Sequence, residues 1–207
     1  MSQFQLFRDI RPGGVPHFTE RYLPVECYAS ASDRWRPRPI AIEGVVLHYI
    51  SVANVDPERK YETDRVWEFF RDMGFDASGR IYGFNSRLMP PRRAAISAHL
   101  LITRSGRILQ TVPLTFQAFH AGVSEFKGRQ GCNAFMVGIE LIGAHEEPFA
   151  NEQYAAAAWV CRRLMQRFHF PSSHIVGHQD VAPGRKKDPG PSFEWERFRK
   201  YMQDWEV

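Results

Sequence analysis

The sequence predicts an α/β fold: a single domain built on a central mixed β-sheet flanked by helices. Three observations predict it. Apolar, β-branched runs of strand length recur at Val45–Ile50, Phe135–Ile142 and His174–His178. Two further runs, 98–103 and 107–112, are joined by Arg104-Ser105-Gly106, as in a hairpin. A long alanine-rich segment from Asn151 to about His169, and a second helix-length segment at 193–205, are interleaved with the strands. With 207 residues, 43% of them hydrophobic, the chain is long enough for one sizeable core and too short to make two comfortable.

Residues 1–43 are rich in Pro, Arg and Ser and carry no sustained period, which predicts an irregular N-terminal arm packed on a domain running from 44 to 207. Val45–Ile50 has strand composition with one histidine inside it and reads as a buried central strand. Asp56-Pro57 supplies helix-start chemistry for a helix to about Met73, stopped by Gly74. Residues 74–96 carry Gly, Pro and the arginines Arg80, Arg87, Arg92 and Arg93, a long loop of the kind that flanks or covers a site. The hairpin and the strand 135–142 follow, then the helix N-capped by Asn151 and ended at Phe170-Pro171. His174–His178 is a short strand, and Phe193–Trp205 makes the last amphipathic helix.

Charge and cysteine usage exclude several classes. The formal net charge is +4, from 27 Lys and Arg against 23 Asp and Glu, scattered rather than gathered into a basic stripe, so no nucleic-acid role is expected. Cys27, Cys132 and Cys161 are an odd number without a C-x-x-C spacing, which predicts reduced thiols and a cytoplasmic protein. The opening MSQFQLFRDIRPGG has charges where a secretory signal needs an apolar run, and no window approaches a membrane span, so no membrane insertion is expected. A monomer is expected.

The densest chemical signal is His178 to Pro191, a strand end running into a Gly- and Pro-rich loop loaded with polar groups. Such a loop cannot bury an apolar face. Its functional reading is that His178 and Asp188 both reach a metal, folding Lys186 over the same site, while His48 adds a ligand from a neighbouring strand. Two imidazoles and a carboxylate are a common catalytic zinc set with a fourth position left for water. Each residue also has a plainer reading: His48 as a hydrogen-bonded core histidine, Asp188 as the start of a turn, Lys186 as a solvated charge.

Five motifs occur in order: Val-Val-Leu-His-Tyr-Ile-Ser at His48, Ser97 to Ile102 around His99, Phe119-His120-Ala121-Gly122, Gly138-Ile139-Glu140-Leu141, and Gly177-His178 through Asp188-Pro189-Gly190-Pro191. Together they resemble the type 2 N-acetylmuramoyl-L-alanine amidases, which include the cytoplasmic anhydro-muropeptide recycling amidase, phage lysins and the related peptidoglycan recognition proteins. The likeness runs from about residue 44 to about 200, with Gly128-Arg129, Cys132-Asn133 and Lys187-Asp188-Pro189-Gly190-Pro191 most similar to the recycling amidase.

The resemblance implies the peptidoglycan-recognition/amidase type 2 fold, Zn2+ held by His48, His178 and Asp188, and catalytic roles for Glu140 and Lys186. It implies hydrolysis of the amide between N-acetylmuramic acid and L-alanine, in peptidoglycan or in a 1,6-anhydro-muropeptide. Zinc lowers the pKa of water from about 15.7 towards 7; Glu140 would then move the proton to the leaving nitrogen, and Lys186 would stabilise the oxyanion. Tyr49, His99, His120, Arg129 and Asn133 are implied for the substrate pocket. The chain departs from recycling amidases in three places: Tyr49 stands where they carry Asn, and Ala95 and Gly131 where they tend to place arginine. Each lost contact to a substrate carboxylate removes roughly 1.5 to 3 kcal/mol. A phage-type lysin, released to the wall by another factor, accounts for the same features. A non-catalytic peptidoglycan-binding module is the alternative, and it has no physical reason to keep Glu140 and Lys186 beside a complete ligand set.

Overall fold

The computed structural model describes residues 18–20, 41–51, 58–72, 74–75, 81–82 and 96–203. Its six-stranded sheet joins β1 (Phe18–Glu20), β2 (Gly44–Ile50), β5 (Leu100–Ile102), β6 (Ile108–Gln110), β9 (Met136–Ile142) and β10 (Ile175–Gly177) in the order β1-β6-β5-β9-β2-β10. Only the β5–β6 pair is antiparallel, so the sheet is mixed, as predicted. The helices are α1 (Thr63–Asp72), α2 (Asn151–Phe168), the single turn α3 (His178–Val181) and α4 (Trp195–Gln203).

Strands β2 and β9 are central and parallel, which is why they read as nearly unbroken apolar runs rather than as an alternation. On one face Val45, Leu47, Val137, Ile139 and Leu141 pack with Leu100 and Ile102 against Tyr154, Ala157, Val160, Cys161 and Leu164 of α2. Full burial of each Leu or Ile there contributes about 1.5–3 kcal/mol. Because successive strand residues point to opposite faces, the other face receives Val46 and His48 from β2 and Met136, Gly138 and Glu140 from β9. His48 and Glu140 are the polar intruders in that second layer, 1% and 8% exposed.

Several boundaries differ from expectation. The helix expected from Asp56 begins at Thr63, after a turn closed by Glu62 N–H to Arg59 O, and its described buried contact starts only with Val66. Asn151 is the first residue of α2 rather than its cap: Ala150 holds that place, and its N–H donates to Gln153 Oε1 at 3.1 Å. The Gln153 amide in turn donates to Ile102 O and Ile142 O, fastening the helix to the sheet. His178 opens α3 instead of ending a strand, with Asp180 Oδ2 accepting the Gly177 N–H at 2.7 Å. The last helix begins at Trp195 rather than at 193 and is described as far as Gln203, the expected end at 205 lying outside the described residues.

The loop expected at 74–96 opens with a small antiparallel hairpin, β3 (Gly74–Phe75) and β4 (Ile81–Tyr82). Its arginines lie outside the described residues, as does most of the 1–43 arm. Within that arm Phe18–Glu20 runs parallel to β6. A second hairpin, β7 (Glu125–Phe126) and β8 (Arg129–Gln130), was not anticipated; it turns on Lys127 and Gly128, both at positive φ. Among the described residues no helix is long and apolar enough to cross a membrane.

Candidate metal centre

The sheet brings His48 and Glu140 together as Cα partners on neighbouring parallel strands. Strand β10, on the other side of β2, pairs Gly177 with Leu47, so His178 emerges one residue beyond it, beside His48. The loop after α3 then returns. Asp188 O accepts the Gln179 N–H at 3.0 Å, and Pro189 packs so close to Gly177 that a Cβ there would lie 2.7 Å from Pro189 Cδ. A glycine at 177 is therefore part of what seats Asp188.

The result is a triangle of donor atoms. His48 Nδ1 and His178 Nδ1 are 3.0 Å apart, and each is 2.9 Å from Asp188 Oδ2. The protons of the two imidazoles are fixed from behind. His178 Nε2 lies 3.1 Å from Ala121 O, which can only accept, so Nε2 carries the proton and Nδ1 the lone pair. His120 Nε2 faces Met136 O at 3.3 Å and donates to it; its Nδ1 therefore accepts from His48 Nε2 at 3.1 Å, which leaves His48 Nδ1 as a lone pair too. Burial, the largest influence, drives the His48 pKa down to about 4 and keeps the ring neutral near pH 7.

Three lone-pair donors thus converge with no proton left to share among them, and such a set calls for a cation at its centre. The donor types suit zinc, and ligands at about 2.0–2.2 Å in a tetrahedral set are separated by about 3.3 Å, close to the spacing found. Among the described residues this is the one group of three His, Cys, Asp or Glu side chains placed to hold a metal ion. A backbone carbonyl behind a ligand histidine, as Ala121 O stands behind His178, is a usual feature of such sites.

Glu140 borders the triangle with a different character. It is buried, and its Oε2 has no hydrogen-bond partner among the described residues. Burial first, and then the Asp188 charge, push its pKa well above the ordinary carboxylate value, with Lys186 pulling weakly the other way. An unsatisfied, proton-ready carboxyl beside a metal set is equipped for general acid–base chemistry. Lys186 itself is exposed on the loop, its backbone N–H donating to Ala182 O.

The remaining residues named from the sequence are placed as follows. His120 stands behind His48, its ring against Gly138, where a Cβ would lie 2.3 Å from His120 Cγ. His99 is fully buried, Nδ1 accepting from Gly138 N–H and Nε2 donating to Phe116 O. Asn133 Oδ1 accepts the N–H groups of His120 and Ala121. Arg129 pairs with Glu43 at 2.9 Å and lies over the Phe135 ring. Tyr49 packs on the α2 side of the sheet, its ring 6.0 Å from that of His145.

Sequence reasoning missed the Ala121 carbonyl, which no side-chain motif can announce, and it set His145 aside, whose buried Nδ1 has no hydrogen-bond partner among the described residues. Of the other histidines without a motif, His169 forms the left-handed cap of α2 and His174 binds Glu43 O.

Known proteins share this fold. The sequence profile of the N-acetylmuramoyl-L-alanine amidase family matches residues 36–191. The chain is 37% identical over 182 residues to the 1,6-anhydro-N-acetylmuramyl-L-alanine amidase AmpD of Haemophilus influenzae, covering 86% of this chain and 94% of that protein. The crystal structure of a selenomethionine derivative of AmpD superposes with a TM-score of 0.68 at 30% identity, covering 92% of this chain and 96% of that one. The amidase AmiD of Escherichia coli, solved with the substrate anhydro-N-acetylmuramic acid-L-Ala-D-gamma-Glu-L-Lys, superposes at 0.56 with 25% identity, covering 80% of this chain and 58% of that one. With its profile match, its relatives and its fold in agreement, the chain belongs to the N-acetylmuramoyl-L-alanine amidase family.

Proposed function

We propose that this chain hydrolyses the amide between the lactyl group of N-acetylmuramic acid and the L-alanine of a 1,6-anhydro-muropeptide, with His48, His178 and Asp188 holding zinc. The observation that carries the proposal is the convergence of two imidazole lone pairs and one carboxylate oxygen within 3.0 Å of one another, beside the buried Glu140. The choice of substrate is supported by what the relatives AmpD and AmiD are named for or were solved with. The catalytic unit in this proposal is 44–207.

Zinc at this position supplies Lewis acidity towards water and towards the scissile carbonyl. Glu140 takes a proton from the attacking water as the new C–O bond forms. Its raised pKa suits it to keep that proton until the C–N bond breaks, when the proton passes to the departing alanine nitrogen. Lys186, close enough to act on Glu140 and His48, brings a positive charge to the developing oxyanion. His120 and Ala121 do no chemistry; they keep the imidazole protons on the far side of the rings.

The test is to incubate purified, zinc-loaded protein with soluble anhydro-muropeptide and, separately, with intact sacculi, and to identify products by mass spectrometry beside a His178→Ala control. Release of a free stem peptide with an N-terminal alanine, absent in the control, supports the proposal. Preference for sacculi would replace the recycling substrate with the wall. No cleavage of either by zinc-loaded protein would leave a peptidoglycan-binding module as the better account.

A further inference from the structure

We infer that Arg185 is a positioning residue of the metal centre: its guanidinium holds the Ala121 carbonyl that sets the proton of His178. The inference rests on the metal reading above and deepens it.

Segment 121–123 is held in place by polar contacts. Ala121 is buried, but Val123 is 88% exposed, so apolar burial does not anchor the outer end of the segment. Its three carbonyls each have a donor: Arg185 Nη2 donates to Ala121 O and, at 2.7 Å, to Val123 O, while Ser124 Oγ donates to Gly122 O at 3.0 Å. The backbone turns around the guanidinium at Gly122, φ +59°, where a Cβ would lie 3.5 Å from both terminal nitrogens. A residue with a side chain would be strained at that φ. On the opposite edge Asn133 Oδ1 takes the His120 and Ala121 N–H groups. Asn133 and Arg185 therefore grip one dipeptide from two sides.

That dipeptide backs both metal histidines. His120 faces His48 Nε2, and Ala121 O faces His178 Nε2. Arg185 Nη2 comes within 3.5 Å of His178 Nε2 because both are donors meeting at a single acceptor, Ala121 O. A guanidinium is suited to this place: it is always charged, cannot take a proton from the imidazole, and its planar Nη2 carries two N–H groups in fixed directions for the two carbonyls. The same contact has a second consequence. Arg185 immediately precedes Lys186 and stands three residues before Asp188, so fastening its side chain to the 121–123 segment also fixes where the loop presents its lysine and its ligand carboxylate.

The experiment compares the full chain with Arg185→Ala and Arg185→Lys. It measures zinc affinity by chelator competition, the visible spectrum of the cobalt-loaded protein, and the thermal melting of each metal-free protein. Loss of an outer partner of a metal ligand typically weakens the metal by about 10–100-fold. That loss, with displaced cobalt bands and a metal-free melting point within a few degrees of wild type, is the expected result for Arg185→Ala. Arg185→Lys should recover part of it, because an ammonium restores charge but not the fixed directions of the two N–H groups. Wild-type affinity and an unmoved cobalt spectrum in Arg185→Ala would overturn the inference, as would a metal loss fully accounted for by unfolding. A wild-type chain that holds metal no better than His178→Ala would overturn the metal reading itself, and this inference with it.

Discussion

His48 and Glu140 are direct register partners on β2 and β9, and burial shifts their pKa values in opposite directions. In both cases the neutral form is favoured, but with opposite chemical results. A neutral imidazole keeps a lone pair to give to a metal, whereas a carboxyl with a raised pKa is ready to carry a proton. The two adjacent positions are thus a ligand and an acid–base group because the same dry layer acts on a cationic acid and a neutral acid.

Glu140→Gln keeps the shape of the side chain and removes its proton chemistry. We expect kcat for muropeptide cleavage to fall about 10²–10⁴-fold, with zinc content and thermal melting near wild type. Steady-state kinetics beside metal quantification checks this. A Gln variant retaining activity within a few fold would take Glu140 out of the reaction.

The pH dependence of the metal-free protein should report His48. Its folded pKa of about 4 lies below the ordinary 6.5. A depressed folded pKa means that the unfolded chain takes up the proton first, so stability is fully present above 6.5 and is lost as pH falls from there through about 4. Denaturant melts at stepped pH should show that loss, and His48→Gln, which cannot charge, should flatten it. An unchanged slope in the variant would assign the acid lability to another group.

Much of this was legible in the sequence, for identifiable reasons. The apolar runs at 45–50 and 135–142 announce strands buried on both faces, and a His and a Glu inside such runs need a partner or a function. His178 and Asp188 were legible because a polar loop rich in Gly and Pro has no packing reason to be so composed. What the sequence hid is backbone chemistry. Ala121 acts through its carbonyl, and Arg185 acts through that carbonyl, so neither leaves a mark in residue type. His99 is a further case: motif and composition cannot reveal that both of its ring nitrogens are bound to backbone groups.

Gly138→Ala should damage the centre without touching a ligand. Its Cβ would lie 2.3 Å from His120 Cγ, and His120 cannot simply yield because Met136 O and His48 hold its two nitrogens. Forcing a methyl into such a packed layer costs about 1–3 kcal/mol, and displacing His120 releases the proton arrangement of His48. Expected are a lower melting temperature and weaker zinc retention together, measured by calorimetry and chelator competition. Stability loss with unaltered metal affinity would show that His120 does not act through His48.

Lys186→Met separates catalysis from folding. Lys186 is exposed, so the substitution should leave melting temperature and zinc content unchanged. If the ammonium stabilises the oxyanion, kcat falls about 10²–10³-fold, the range seen when one such donor is removed, while KM moves little. A second signature follows from the charge itself: Lys186 lowers the pKa of Glu140, so its removal raises that pKa further. Glu140 then stays protonated to higher pH, and the acidic limb of the kcat/KM profile must move towards alkaline values. Lys187→Ala, one residue along the same exposed loop, serves as the control and should shift neither quantity. A Lys186→Met enzyme with a reduced kcat but an unmoved acidic limb would mean either that Glu140 does not set that limb or that the two side chains are farther apart than the folded loop implies.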